Sequence, residues 1–206
     1  MIELIKFQGE SMGTFDKYND LVLSYFKQGA DLSGANFIQY IHNILTFEVK
    51  SHCDDCIFND KRIFENDGTQ APVGEANHPH CHCYYEKVDS LLAGNISLKG
   101  ELAPDVYLKK YGKLPDYYIT KQEAIEKYGW NSRRNTLAGK APGKMIGGDV
   151  YINDDDFLPI KENRVWYECD VDYVSGNRGT CSRLYYSNDG LMFYTNHFKD
   201  KPYQII

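Results

Sequence analysis

The spacing of apolar positions predicts three kinds of structure along the chain. Phe15, Tyr18, Leu21, Val22, Tyr25 and Phe26 recur at three- and four-residue steps. Phe37, Ile38, Ile41, Ile44 and Leu45 do so again, which predicts two packed helices over residues 14–47. From residue 48 the helical spacing is lost, and Asn66-Asp67-Gly68 and Ala71-Pro72-Val73-Gly74 favour short strands and turns. Residues 91–102 contain Gly94-Asn95 and Gly100 and read as a linker. After it, Ala103–Tyr111 suits a helix stopped by Gly112 and Pro115. Thr120-Lys121-Gln122-Glu123 has the form of a capping box opening a second helix that ends at Gly129, and Asn135–Lys140 suits a short third one. Met145–Ile152, Arg164–Val171, Arg183–Ser187 and Leu191–Thr195 follow, rich in β-branched and aromatic residues and separated by turn formers. Helices followed by strands predict an α+β fold with N-terminal helices and a central antiparallel sheet.

The organisation expected is a helical segment 1–47, a Cys/His-rich module 48–90, the linker 91–102, and a domain over 103–206. About a hundred residues can bury a sufficient core, so the last part, from about Gly100, is expected to fold alone. Apolar runs fall far short of the ~20 residues a membrane span needs. Met1–Glu10 lacks the apolar core of a signal peptide, so a secreted role would need a non-classical route or an upstream export signal.

Charge changes the picture only locally. Residues 1–100 hold 8 Lys+Arg against 14 Asp+Glu, whereas residues 101–206 hold 15 of each. No global basic excess favours nucleic acid, but a cleft needs only local positive potential.

The candidate chemistry lies in Arg164-Val-Trp-Tyr-Glu-Cys-Asp170 and Tyr194-Thr-Asn-His197. A carboxylate base, an imidazolium acid and fixed cations are the parts that phosphodiester transfer by a neighbouring 2′-hydroxyl requires. Unperturbed carboxylate and imidazole groups titrate on either side of mildly acidic pH, so one can be deprotonated while the other is protonated. Taken alone, a glutamate on a strand is more commonly part of a solvated face, and a lone histidine a surface or core residue.

The wider pattern resembles the barnase family of bacterial ribonucleases. The resemblance is carried by Lys113-Leu-Pro-Asp-Tyr-Tyr-Ile-Thr-Lys-Gln-Glu-Ala124, Ala141-Pro-Gly-Lys-Met-Ile-Gly-Gly-Asp149 and Asp172-Tyr-Val-Ser-Gly-Asn-Arg178, and runs from about Ala103 to the end. It implies an endoribonuclease acting on RNA through a 2′,3′-cyclic phosphate without a catalytic metal. Glu168 matches the general base and His197 the general acid. Lys121, Arg178 and Arg183 match phosphate-binding cations, and Asp149 an acid that orients the lysine. Asn153 falls in the guanine-recognition loop, Phe198 matches a tyrosine beside the acid, and Asp189 with Arg164 matches a structural ion pair. The family's loop carries an arginine after the asparagine; here Asn153-Asp-Asp-Asp156 stands instead, and Asp155 can accept from a guanine edge. The family also implies a small acidic inhibitor of the barstar kind.

Cys53-Asp-Asp-Cys56 and His78-Pro-His-Cys-His-Cys83 have the spacing of a structural zinc site, with Cys53, Cys56, Cys81 and Cys83 as ligands. His78 is a substitute ligand or supporting group, and His80 and His82 face solvent. Two disulfides, or unligated thiols, are the alternatives. The segment resembles the end of a phage Mu F-type head morphogenesis domain, which implies a link to phage or secretion machinery. Cys169, next to Glu168 on its strand, is expected to face the helices as a small core residue, and both it and Cys181 are expected to be free. Two functions remain open at this level: a toxin-like endoribonuclease, or a phage-derived binding protein with a vestigial nuclease domain.

Overall fold

The computed structural model describes residues 31–42, 54–71, 73, 83–173, 182–196 and 201–206. The expected helix over Phe15–Phe26, and Cys53, His78, His80, Cys81, His82 and Cys181, lie outside the described residues.

Two sheets form the described part of the molecule. The smaller has the order β2-β1-β3, with β1 at Phe37–Ile41, β2 at Ile63–Glu65 and β3 at Tyr84–Lys87, all antiparallel. Helix α1, Asp54–Asn59, precedes β2. Over Phe37–Ile41 the expected helix is therefore corrected to a strand, while Ile44 and Leu45 lie outside the described residues. The cause is burial on both faces: Ile38 and Tyr40 pack with Cys56, Cys83 and Tyr85, while Phe37 points the other way into a cluster with Trp166 and Phe193. A strand buried on both faces loses the alternation that would distinguish it from helix.

The larger sheet has seven strands in the order β4-β10-β9-β8-β7-β6-β5. They are β4 Asp89–Leu91, β5 Tyr118–Ile119, β6 Met145–Tyr151, β7 Trp166–Val171, β8 Ser182–Ser187, β9 Met192–Thr195 and β10 Pro202–Ile205. Pairing is antiparallel from β6 through β10 and parallel at both margins, where β4 joins β10 and β5 joins β6. The sheet is thus mixed, not purely antiparallel. Helices α2 (Pro104–Tyr111), α3 (Lys121–Tyr128) and α4 (Leu137–Lys140) end close to the expected positions. Gly112 and Gly129 stop α2 and α3 in left-handed conformation, and Thr120 and Glu123 close the expected capping box.

Residues 91–102 are not a free linker. Ile206 N–H donates to Leu91 O at 2.9 Å, and Ala93 N–H to Ile206 O at 2.9 Å. Ile96 is buried with Leu108, Cys169, Leu184 and Ile205. The two sheets also share a core. Phe37, Ile63 and Val88 pack with Phe157, Leu158, Trp166, Tyr185 and Phe193, and the Phe37 and Phe193 rings meet edge-on at 5.0 Å. The expected Arg164–Asp189 pair is present at 2.9 Å, and Arg164 also reaches Glu65 of β2 at 3.2 Å. These contacts join the part of the chain from about Gly100 to the smaller sheet and to residues 89–96. No helix among the described residues is long and apolar enough to cross a membrane.

Candidate active site

The central strands and the start of α3 bring together four of the six expected catalytic residues, Asp149, Glu168, Arg183 and Lys121. Residues Gly147 and Asp149 of β6 face Cys169 and Glu168 of β7, so β6 uses two steps where β7 uses one. The extra residue is Gly148, with φ 90°, a conformation that suits glycine at such a bulge. Gly147 lies so close to β7 that an added Cβ would come within 2.5 Å of the Cys169 Cβ. The bulge therefore turns Asp149 to stand opposite Glu168 instead of the neighbouring position. Cys169 faces the other way, packed with Leu108 and Tyr118. Burial pushes its thiol well above the ordinary value, and it remains a neutral core residue.

Lys121 is the first residue of α3. Its backbone N–H donates to Asp149 at 3.0 and 3.2 Å, and its ammonium pairs with Glu168 Oε1. Asp149 thus orients the lysine through the helix N-terminus, where a carboxylate is also favoured by the helix dipole. Glu168 Oε2 lies 3.8 Å from Arg183 Nε. Arg183 and Asp170 stand directly opposite across β7 and β8, and their side chains pair at 2.6 Å. Asp170 is 1% exposed and also accepts from the Tyr173 hydroxyl at 2.9 Å. That hydroxyl accepts from Ile146 N–H at 2.7 Å, so a chain of hydrogen bonds anchors the arginine to the sheet. Asp170 is the site's unforeseen member. The only sequence signal for it is its place two residues after Glu168 on the same face, which acquires meaning once the register is known.

Tyr185 faces Glu168 from β8 and is fully buried. Burial, reinforced by the Glu168 charge, pushes its hydroxyl up to about 12, so it is floor and not a base near neutrality. Tyr151 packs against it with ring centroids 4.7 Å apart.

The loop after β6 bends back on itself. Asn153 Nδ2–H donates to Leu158 O at 2.8 Å, and Leu158 N–H donates to Asn153 Oδ1 at 2.9 Å. The amide expected to bind substrate therefore holds the loop closed. Asp154 and Asp155 line a cavity of about 310 Å³ with Phe58 and Lys61 of the smaller sheet's layer. Arg178, His197 and Phe198 lie outside the described residues. Asn196, just before the histidine, accepts from the Tyr194 hydroxyl at 2.9 Å. A larger cavity of about 890 Å³ opens on the opposite face of the sheet, beside Tyr167 and Tyr186.

Of the four expected zinc ligands, Cys56 and Cys83 fall among the described residues. Both are buried beside Tyr40, whose hydroxyl donates to Cys56 Sγ at 3.6 Å. Among the described residues no group of three or more candidate ligands converges.

No family model matches the chain. A ribonuclease of Heyndrickxia coagulans is 48% identical over 89 residues, a span that is 43% of this chain and 80% of that protein. Ribonucleases of Bacillus intermedius and Bacillus pumilus are each 48% identical over 89 residues, but the match covers 54% of their length. Identity of this order across four fifths of a relative, on a sheet that aligns Glu168 with Lys121 and Arg183, has one reading: the chain belongs to the barnase-type microbial ribonucleases, a class of enzymes that works without a metal.

Proposed function

We propose that the chain is an endoribonuclease that cleaves single-stranded RNA by 2′-hydroxyl transesterification. Glu168 takes the 2′-hydroxyl proton, the 2′-oxygen attacks phosphorus, and His197 protonates the departing 5′-oxygen. The products are a 2′,3′-cyclic phosphate and a new 5′-hydroxyl. The observation that carries the reading is the seat of Glu168, a carboxylate between the Lys121 and Arg183 cations on one sheet face. In the unliganded arrangement Lys121 is paired with this carboxylate, and its ammonium can swing to a phosphate oxygen when substrate enters. Arg183, fixed by Asp170, is pre-oriented to stabilise charge on the phosphorane. Arg178, His197 and Phe198 take their roles from the family resemblance, and the Asp155 carboxylate is the candidate acceptor for a guanine edge.

The test is cleavage of a defined single-stranded RNA by the purified chain in EDTA, with analysis of the ends. Cyclic phosphate ends are expected, together with a loss of ~10²-fold or more for Glu168→Gln and for His197→Ala. Strict Mg²⁺ dependence, or full activity of either variant, would reject the mechanism.

The reading extends to a toxin-like role, a small acidic barstar-like inhibitor, and a Mu F-like, zinc-binding N-terminal part. The convergence of Cys56 and Cys83 on Tyr40 supports the zinc proposal, in which the metal would be held by Cys53, Cys56, Cys81 and Cys83 and would act structurally. Zinc analysis paired with thiol mapping tests it: one zinc per chain is expected, and its absence with no free thiols at these four positions would establish disulfides instead.

A further inference from the structure

We propose that Arg62, which lies outside the part of the chain that resembles the nuclease family, is a positioning residue for the base-recognition loop. It fixes Asp156 and so sets how firmly residues 152–158 hold the base of the substrate. This rests on the nuclease reading above and adds to it a residue from the smaller sheet's layer.

The loop is secured from two sides. From within, Asn153 and Leu158 exchange two hydrogen bonds. From outside, Arg62 Nη2 pairs with Asp156 Oδ2 at 3.3 Å, and Arg62 Nε–H donates to Asp156 O at 3.3 Å. The next step of the chain repeats the attachment, with Ile63 N–H donating to Phe157 O at 2.8 Å. Asp156 needs such support. Its φ is 52°, left-handed backbone that a residue other than glycine adopts rarely, although aspartate tolerates it better than most.

Arg62 is itself held rigidly. Its Nη1–H donates to Asn59 Oδ1 at 2.7 Å, and its guanidinium lies over the rings of Phe58 at 4.8 Å and Phe64 at 5.0 Å. The Arg62 side chain is 14% exposed and that of Asp156 27%, so the pair is only partly open to solvent. A planar fork that binds a carboxylate and a carbonyl together, and stacks on aromatic rings, is a task lysine does not reproduce. Asp155, the proposed acceptor for a base edge, immediately precedes the clamped residue. Release of Asp156 would therefore loosen the neighbouring Asp155 while leaving Glu168, Asp170 and Arg183 in their strands.

The experiment is steady-state cleavage of dinucleoside monophosphates with each of the four bases at the 5′ position. The full chain is compared with Arg62→Ala, Arg62→Lys, Asp156→Asn and the double variant Arg62→Ala/Asp156→Asn. Arg62→Ala is expected to raise KM for the preferred dinucleotide roughly tenfold, the factor that ~1.4 kcal/mol represents, and to narrow the preference over other bases, with kcat within about twofold. Arg62→Lys should recover only part of this, and the double variant should lose no more than the worse single one. If Arg62→Ala does not fold, Asp156→Asn carries the test from the loop side, because asparagine tolerates the left-handed turn. Unchanged KM and base preference in a folded Arg62→Ala or Asp156→Asn variant overturns the inference. So does a fall confined to kcat. An unaltered protein that cuts none of the substrates overturns the nuclease reading, and this inference with it.

Discussion

Glu168, Asp170 and Arg183 sit on the paired strands β7 and β8, whereas Asn153 to Leu158 leave the sheet and return without pairing to any strand of it. The first group is located by ladders on both sides and by the Asp170–Tyr173–Ile146 chain of hydrogen bonds. The second is located by one amide bridge inside the loop and by contacts from Arg62 and Ile63, about ninety residues earlier in sequence. The difference teaches where each property can be altered. On the proposed reading, the chemistry would rest on a frame that a single surface change does not move, and selection on a loop whose shape depends on a second layer of the molecule.

The most damaging way to break this comparison is to remove the second layer. A chain starting at Gly100 loses Phe37, Ile63 and Val88 from the shared core, Ile96 from the main one, and the β4 edge of the sheet. Each buried side chain of this size contributes about 1.5–3 kcal/mol. The loss is thus comparable with the whole stability of an ordinary domain, about 5–15 kcal/mol. Its thermal midpoint should fall by more than about 10 °C relative to the full chain. A cooperative melt within a few degrees of the full chain would show that the nuclease sheet stands alone.

Arg183→Ala should come next. It leaves the Asp170 carboxylate, 1% exposed, without its closest cation, and removing one member of a buried pair typically costs about 3–5 kcal/mol. Urea unfolding should report a loss in that range, together with lower activity. A change under about 1 kcal/mol would mean that the pair does not anchor the platform.

The smallest effect concerns Asp189. Burial alone would raise its pKa, but hydrogen bonds from Arg164 and Ser187 outweigh this and lower it. A carboxylate with a lowered folded pKa adds stability above its unfolded value, near 3.8, and that stability is lost as pH falls through the lower folded value. Asp189→Asn should therefore flatten the stability profile in the acid region below about pH 4 and shift the midpoint at pH 7 only slightly. An unchanged acid profile would remove Asp189 from the account.

The sequence made the helices of the nuclease part legible because their signals are local. Thr120 and Glu123 cap α3 within one turn, and Gly112 and Gly129 end their helices at the residues themselves. Strand β1 was illegible because both of its faces are buried, which removed the alternation. Strand β4 was illegible because its partner, Tyr203–Ile205, lies more than a hundred residues away and pairs in parallel. Glu168, Lys121, Asp149 and Arg183 were legible through the motifs around them, while Asp170 required the register of β7 on β8. Asn153 lies in the loop after β6, and its amide is occupied by Leu158, a contact that no spacing rule foretells.

Separate measurement of kcat and KM for one dinucleotide with Glu168→Gln and with Asn153→Ala tests the division of labour most directly. Glu168→Gln should lower kcat by ~10²-fold or more with KM changed by less than about threefold. Asn153→Ala should raise KM by roughly tenfold, with kcat nearly unchanged, because it opens the loop and leaves the platform intact. Losses of similar size in kcat for both variants, or a Glu168→Gln enzyme with nearly full kcat, would contradict it.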